Sequence, residues 1–306
     1  MESNIIDQKE TSAAKDQTAL SLFASPARTD TMGITCKRNF VYQLLNTVSL
    51  GEFFPEIVFN FEENKAWWAN HDTRHSLNNF GSIQKGFVDD CWGHGSMGFN
   101  ASNILNNLKH LRKHKKVTLV ADPKTQKIYL QAGEDRIVDE FSYDMIPVEN
   151  IPTAMPEKPI VPKMNELNGV DVNVLRLKQV VERTKKFHAK HIPFSMNPKD
   201  HSVAAHLEFE TDQCLMAFTP GSSKSYLQVP PNHSFEHIVS LADLTPIVKN
   251  YRRPNKYRAE APPQDIVSLR FGDNQNRIYL LKKAIKDEGK FVSGAMISTI
   301  VTDLFT

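Results

Sequence analysis

Gly93-His-Gly95-Ser-Met-Gly98 has the G-x-G-x-x-G spacing of a dinucleotide phosphate loop. Such a loop works where it follows a strand and opens directly into a helix, whose N-terminal amides hold the pyrophosphate. Here Asp89-Asp90-Cys91-Trp92 comes before it, and Phe99 and Asn100 intervene before Ser102, the expected helix cap. The chain also has no G-x-x-x-x-G-K-[ST] loop, so nucleotide binding is not the expectation. His71, Asp72 and His75 are metal-ligating types, as are Asp89, Asp90 and His94. A metal needs three or four ligands converging from defined elements. His71 and His75 fall in an expected turn, so they read as polar turn residues or partner contacts. Cys36, Cys91 and Cys214 are too few and too widely spaced for a disulfide framework or a zinc knuckle. They fit a reducing intracellular compartment and read as packing residues. No carboxylate pair and no Ser/Cys–His arrangement stands out. The expectation is a protein without catalytic residues, metal or cofactor.

The charge pattern is more informative. The 306 residues carry 37 Lys and Arg against 35 Asp and Glu, a net charge of +2. Four stretches read as helices: 37–48, 101–116, 176–190 and 242–258. Together they hold 18 basic and 2 acidic residues, a net +16, which leaves −14 for the rest of the chain. Within them Leu177, Val180, Val181, Thr184 and Phe187 form one face, and Arg176, Gln179, Arg183, Lys186 and Lys190 the other. Ile104, Leu105, Leu108 and Leu111 oppose Lys109, Arg112, Lys113 and Lys116. Leu244, Ile247, Val248 and Tyr251 oppose Lys249, Arg252, Arg253 and Lys256. Each helix can pack on a sheet while its cations reach solvent. Positive charge gathered on helices points to one basic face turned to a polyanion.

These elements recur. Basic helical patterns near 37 and 102 return near 176 and 242. Strand-like runs lie between and after them, at 56–62, 65–70, 117–121 and 127–131, then at 202–210, 213–218, 265–271 and 277–282. Each half reads strand, helix, several strands, helix, several strands. That order predicts α+β architecture with antiparallel sheets and two helices per domain. The polar segment 1–31 reads as a disordered tail. Residues 147–169 carry five prolines and neither period, and read as an interdomain linker. The expected division is therefore a tail at 1–31, domains at 32–146 and 170–306, and the linker between them. No run of 18 apolar residues exists, so no membrane span is expected.

The pattern resembles the PCNA-type sliding clamp family, rings that tether replicative polymerases to DNA. Lys37-Arg38-Asn-Phe-Val-Tyr-Gln-Leu-Leu looks like the first clamp helix with its leading basic pair. Trp67 to His75 resembles the strand and loop that carry the family's Asp-x-x-His turn, here Asp72-Thr-Arg-His75. Gly95 to Leu105 resembles the strand leading into the second helix. Asp139-Glu-Phe-Ser-Tyr-Asp-Met-Ile-Pro resembles the last strand before the linker. The N-terminal extension and the Gly221–Asn232 stretch depart from a minimal clamp and suggest a viral or divergent member.

The resemblance implies two tandem clamp domains and a homotrimer around duplex DNA, bound without sequence preference. It implies a DNA polymerase and a clamp loader as partners, acting inside the cell at sites of replication. The expected DNA contacts are Lys37, Arg38, Lys109, Arg112, Lys113, Lys116, Arg176, Arg183, Lys186, Lys190, Lys249, Arg252 and Arg253. His71, His75 and Ser76 align with family pocket positions for partner peptides with aliphatic and aromatic anchors; Ile151 and Met155 of the linker join them. Gln17-Thr-Ala-Leu20-Ser-Leu-Phe23 resembles such a peptide, but Ala24 stands where a second aromatic is usual. The alternatives are a non-ring processivity subunit, monomeric or dimeric, and a clamp-fold transcription or checkpoint scaffold.

Overall fold

A computed structural model describes residues 30–86, 88–134, 137–155, 157, 168–197, 202–209, 212–218, 225–226, 235–250, 266–272, 277–283, 291–298 and 300–303. Most of the expected tail, the Gln17–Phe23 segment, Arg252 and Arg253 lie outside the described residues.

The first half runs β1 (Met32–Lys37), α1 (Arg38–Val48), β2 (Glu56–Glu62), β3 (Lys65–His71), β4 (Leu77–Gln84), β5 (Asp90–Trp92), β6 (His94–Asn100), α2 (Ala101–His110), β7 (Lys116–Asp122), β8 (Lys127–Glu134) and β9 (Ile137–Asp144). The second half repeats the order. It has β10 (Asn168–Asn173), α3 (Val174–Lys186), β11 (His191–Asn197), β12 (Ser202–Phe209), β13 (Asp212–Phe218), β14 (Ser225–Tyr226), β15 (Phe235–Ser240) and α4 (Leu241–Asn250). Then come β16 (Ile266–Gly272), β17 (Arg277–Lys283), β18 (Phe291–Ser298) and β19 (Ile300–Asp303).

The strands form three sheets, ordered β5-β1-β7-β8-β9, β14-β10-β16-β17-β18-β4-β3-β2-β6 and β13-β12-β11-β15-β19. The long middle sheet crosses from one half to the other where β18 pairs antiparallel with β4, from Phe291↔Ile83 to Ile297↔Leu77.

Each helix lays an apolar stripe on a sheet. Val41, Leu44, Leu45 and Val48 of α1 are buried at i, i+3, i+4 and i+7. Ala101, Ile104, Leu105 and Leu108 do the same in α2, and Leu177, Val180, Val181 and Thr184 are buried in α3. The cap of α2 is Asn100, whose side chain accepts from the Asn103 amide at 3.2 Å, and not the expected Ser102.

The second basic helix, expected over 101–116, stops at His110. Beyond it Lys109–Lys113 and Arg112–Lys116 would stand at i, i+4 as like charges, which disfavours continuation. Leu111 is still buried, but Lys116 already belongs to β7.

Beneath the helices Phe59 contacts Trp68 and Phe99, with ring centroids 5.9 and 5.8 Å apart. Trp68 pairs across β3–β4 with Gly81. A Cβ at Gly81 would lie 2.1 Å from the indole, so glycine is what admits the ring. Two buried asparagines serve the end of α1. Asn79 Nδ2 donates to the Thr47 and Val48 carbonyls at 3.0 and 2.7 Å, and Asn70 Nδ2 to Val48 O at 3.3 Å. These are carbonyls that a helix end otherwise leaves without partners.

Candidate nucleic-acid interface and linker cleft

Among the described residues, most of the expected DNA contacts fall on the helices, near their ends, or on the turns after them. Lys37 is exposed at the cap of α1. Arg38 has a second task. Its Nε and Nη2 both donate to Leu108 O, at 2.8 and 2.7 Å, and Nη1 donates to Asn39 Oδ1 at 2.8 Å. The guanidinium thus caps the last turn of α2 and fixes a positive charge between the two helices. Lys109, Arg112 and Lys113 are exposed at and just beyond the end of α2. Arg183 and Lys186 are exposed on α3, opposite its buried stripe, and Lys190 follows on the turn. Arg176 lies on α3, and Lys249 is exposed in the last turn of α4. Lys116 is placed differently from expectation. It begins a strand and pairs with Asp89 at 3.0 Å. Cations at helix C-termini also offset the negative end of the helix dipole.

The opposite face of the middle sheet is apolar at one place. Trp67 and Ala69 alternate with core-facing Trp68, so they point away from the helices. With Phe80 and Tyr279 they form a second cluster that spans both halves of the chain, and Met155 packs on it. The linker reaches this cluster along the free end of β3. His71 N donates to Thr153 O at 2.8 Å, and Met155 N to Ala69 O at 3.0 Å.

Ile151, expected in the partner pocket, is 3% exposed. A Cβ at Gly98 would lie 2.8 Å from Ile151 Cδ1 and 2.3 Å from Ile146 O. The absence of a side chain there lets Ile151 anchor the linker, so Ile151 offers no surface to a partner.

The Asp72–His75 turn follows β3 directly, beside the linker contact at His71. Asp72 Oδ1 accepts the Ser76 and Leu77 amides at 2.7 and 2.8 Å, and Ser76 Oγ donates to Oδ2 at 3.1 Å. His75 adopts φ +55, and its ring stacks on that of His71 with centroids 4.3 Å apart. Burial pushes the Asp72 carboxyl up, but the Leu77 and Ser76 amides, Arg74 and the Ser76 hydroxyl together hold it below its ordinary value. Its oxygens are therefore occupied.

Sequence reasoning passed over Arg74. Its Nε donates to Asp72 Oδ2 at 3.0 Å and its Nη2 to Asp243 Oδ1 at 2.6 Å, joining the first half to α4 of the second. Asp243 is 2% exposed, and burial raises its carboxyl above the ordinary value even against Arg74. Of the other candidate ligands, Asp89 is paired with Lys116 and Asp90 with Lys85 at 3.3 Å. Among the described residues, no group of three metal-ligating side chains comes together.

Burial, with Asp89 and Cys91 adding, pushes the Cys36 thiol up to about 12. Burial and Asp90 push Cys91 to about 11 against Lys85. Both are protonated core thiols and not nucleophiles. His237 is fully buried 5.0 Å from Phe271, and burial lowers it to about 4, so it stays neutral. The glycine motif also takes another form. Gly93 and Gly95 have φ +91 and +124 at the bend before and into β6, and Gly98 lies within that strand.

The two-helix, antiparallel unit repeated twice, with a linker packed on the outer face, is the PCNA-type sliding clamp fold. The PCNA of Thermococcus kodakaraensis superposes with a TM-score of 0.68 at 17% identity, over 88% of this chain and 100% of that one. A. fulgidus PCNA, solved with the C-terminal region of FEN-1 bound, gives 0.65 at 11% identity, over 88% and 98%. The PCNA of Entamoeba histolytica gives 0.65 at 12% identity over the same shares. No protein-family model and no curated protein sequence matches the chain.

Proposed function

We propose that this chain is a DNA sliding clamp. It encircles duplex DNA as a head-to-tail homotrimer and tethers a polymerase and other DNA-processing partners at sites of replication, with a clamp loader opening the ring. The observation that supports this is a junction repeated in the topology. The order β5-β1-β7-β8-β9 of the first half corresponds to β14-β10-β16-β17-β18 of the second, and β6-β2-β3-β4 corresponds to β15-β11-β12-β13. Within the chain, β18 pairs with β4. Among the described strands, their counterparts β9 and β13 each stand at one end of the other two sheets. A β9 edge of one protomer paired with a β13 edge of the next repeats the internal junction, and it covers edges that would otherwise template aggregation. Such a contact is heterologous and closes into a ring when its rotation allows. By resemblance to the family, six units, or three chains, complete the ring.

Mechanism then requires no covalent step. A closed ring cannot leave duplex DNA sideways, so weak phosphate contacts suffice, and such contacts carry no sequence information. Partner peptides dock on the surface of His71, His75, Ser76 and Met155, beside the Trp67–Phe80–Tyr279 cluster. FEN-1 bound to A. fulgidus PCNA sets the precedent for a peptide partner. Light scattering on the full chain tests the ring. The expected mass is three times the 34.7 kDa of one chain. A mass of one or two chains overturns the ring in favour of a non-ring processivity subunit.

A further inference from the structure

The turn that follows α1 holds three consecutive residues in the left-handed region, Leu50 at φ +46, Gly51 at φ +65 and Glu52 at φ +74. Only the glycine adopts this without strain, so the conformation persists because its surroundings over-determine it. Gly51 N donates to Asn46 O at 2.8 Å, Phe54 N to Ser49 O at 2.9 Å and Glu52 N to Ser49 Oγ at 3.2 Å. Asn79 holds the α1 carbonyls immediately before the turn.

The result of this bracing is specific. Leu50 and Phe54 are buried at 3% and 1%, while Phe53 between them is 41% exposed, the one large hydrophobic side chain so exposed among the described residues. Phe54 meets it edge-on at 5.0 Å.

Phe53 overlooks a groove of about 770 Å³ whose far wall comes from the second half of the chain. Leu241 and Pro246 form its apolar part, and Lys185, Lys190 and Lys249 supply cations. All three lysines are exposed, and Glu52 is the only acid among the lining residues.

A braced, exposed aromatic ring that lines one groove with three lysines is the pairing that holds unpaired nucleotides, one stacking on the base and the others meeting phosphates. Bases of a duplex are already stacked and paired and cannot reach such a ring. We propose that this groove binds single-stranded DNA, with a base on Phe53 and phosphates on Lys185, Lys190 and Lys249. The excess of cations in the lining, three lysines against Glu52, favours nucleic acid over a peptide. The inference goes beyond duplex encirclement: it needs the chain to act on DNA but not to close a ring.

The test is fluorescence anisotropy on the full chain, with a labelled oligothymidylate of about 12 nucleotides and a blunt DNA hairpin as the duplex. Phe53→Ala is expected to weaken oligothymidylate binding by about 5- to 100-fold, Phe53→Trp to retain it, and hairpin binding to change less than about twofold. Lys190→Gln is expected to lower the log–log salt slope for the oligothymidylate by about 0.7. Equal oligothymidylate affinity in wild type and Phe53→Ala overturns the proposal, as does an equal loss for both probes. Displacement of the oligothymidylate by an acidic, aromatic-bearing peptide at lower concentration than by unlabelled oligothymidylate overturns it in favour of a protein partner. Neither polymerase nor circular DNA is present, so a chain that fails to trimerise still decides the matter, and a failed groove leaves the ring untouched.

Discussion

If the chain is the clamp proposed above, Arg183→Glu together with Lys186→Glu is expected to shorten polymerase run length on primed circular DNA by about tenfold, with the oligomer intact. Each phosphate contact contributes about 0.9 to the log–log salt slope, which at 0.1 M salt amounts to about eightfold in affinity. Both side chains are exposed on the face of α3 opposite its buried stripe, so their replacement leaves the packing alone. Reversal adds repulsion to the loss of two contacts. In the proposed ring the phosphates are shared among many cations, so the effect is expected to stay below the product of two full contacts. No base-sequence preference appears before or after the change, because phosphates carry none. The measurement is product length at a single binding event, in parallel with light scattering. Equal run lengths from an intact oligomer would mean that the basic stripes are only solvated faces.

Arg74→Met destabilises the chain by about 2 kcal/mol at neutral pH. Removing one partner of a buried pair costs about 3–5 kcal/mol, because a charge is left in the interior. Arg74 itself is 58% exposed, and water screens the lost attraction, which reduces the figure. Asp243 keeps its burial and loses the guanidinium, so its folded-state value, already raised, rises further. A carboxyl raised on folding binds its proton earlier in the native state than in the unfolded one. Stability then falls as pH rises through that window. The deficit of Arg74→Met is therefore largest at neutral pH and shrinks as pH falls toward the ordinary carboxylate range. Asp72 acts with the opposite sign. Its lowered value stabilises the fold above the unfolded-state value of 3.8 and ceases to do so as pH falls through its folded value. Thermal unfolding of both proteins from pH 7 down to pH 4 checks this. A deficit that stays constant or grows over that range would remove Asp243 as the cause.

The repeated order of elements was legible because its signals are local. The alternation of Glu56-Ile-Val-Phe-Asn-Phe-Glu62 and the stripe of Leu177, Val180, Val181 and Thr184 need no partner to be read. Strand β4 was not legible, because Asn78, Asn79 and Gly81 break its apolar pattern. Their reasons lie elsewhere in the chain: Asn79 serves the end of α1, and Gly81 makes room for Trp68. The basic stretches were legible as charge but not as helix length, since mutual repulsion after His110 competes with a pattern that Leu111 continues. In the turn region, Asp72 and His75 stood out by residue type and by their resemblance to the clamp family's Asp-x-x-His turn. Arg74 did not, because its partner Asp243 is 169 residues away. Ile151 reads as an exposed linker residue until Gly98 is found beneath it. Phe53 gave no signal at all, since its exposure follows from three left-handed residues and not from composition.

The seven paired positions between β18 and β4 have a consequence for the covalent joint. Two halves stitched edge to edge through a sheet, and tied again by Arg74, do not depend on the peptide chain that connects them. Proteolytic nicking between 158 and 167 is expected to leave two fragments that co-elute as one particle in native buffer and separate only in denaturant. The connecting segment is thereby released from holding the molecule together, and its sequence is free to answer to whatever binds across it.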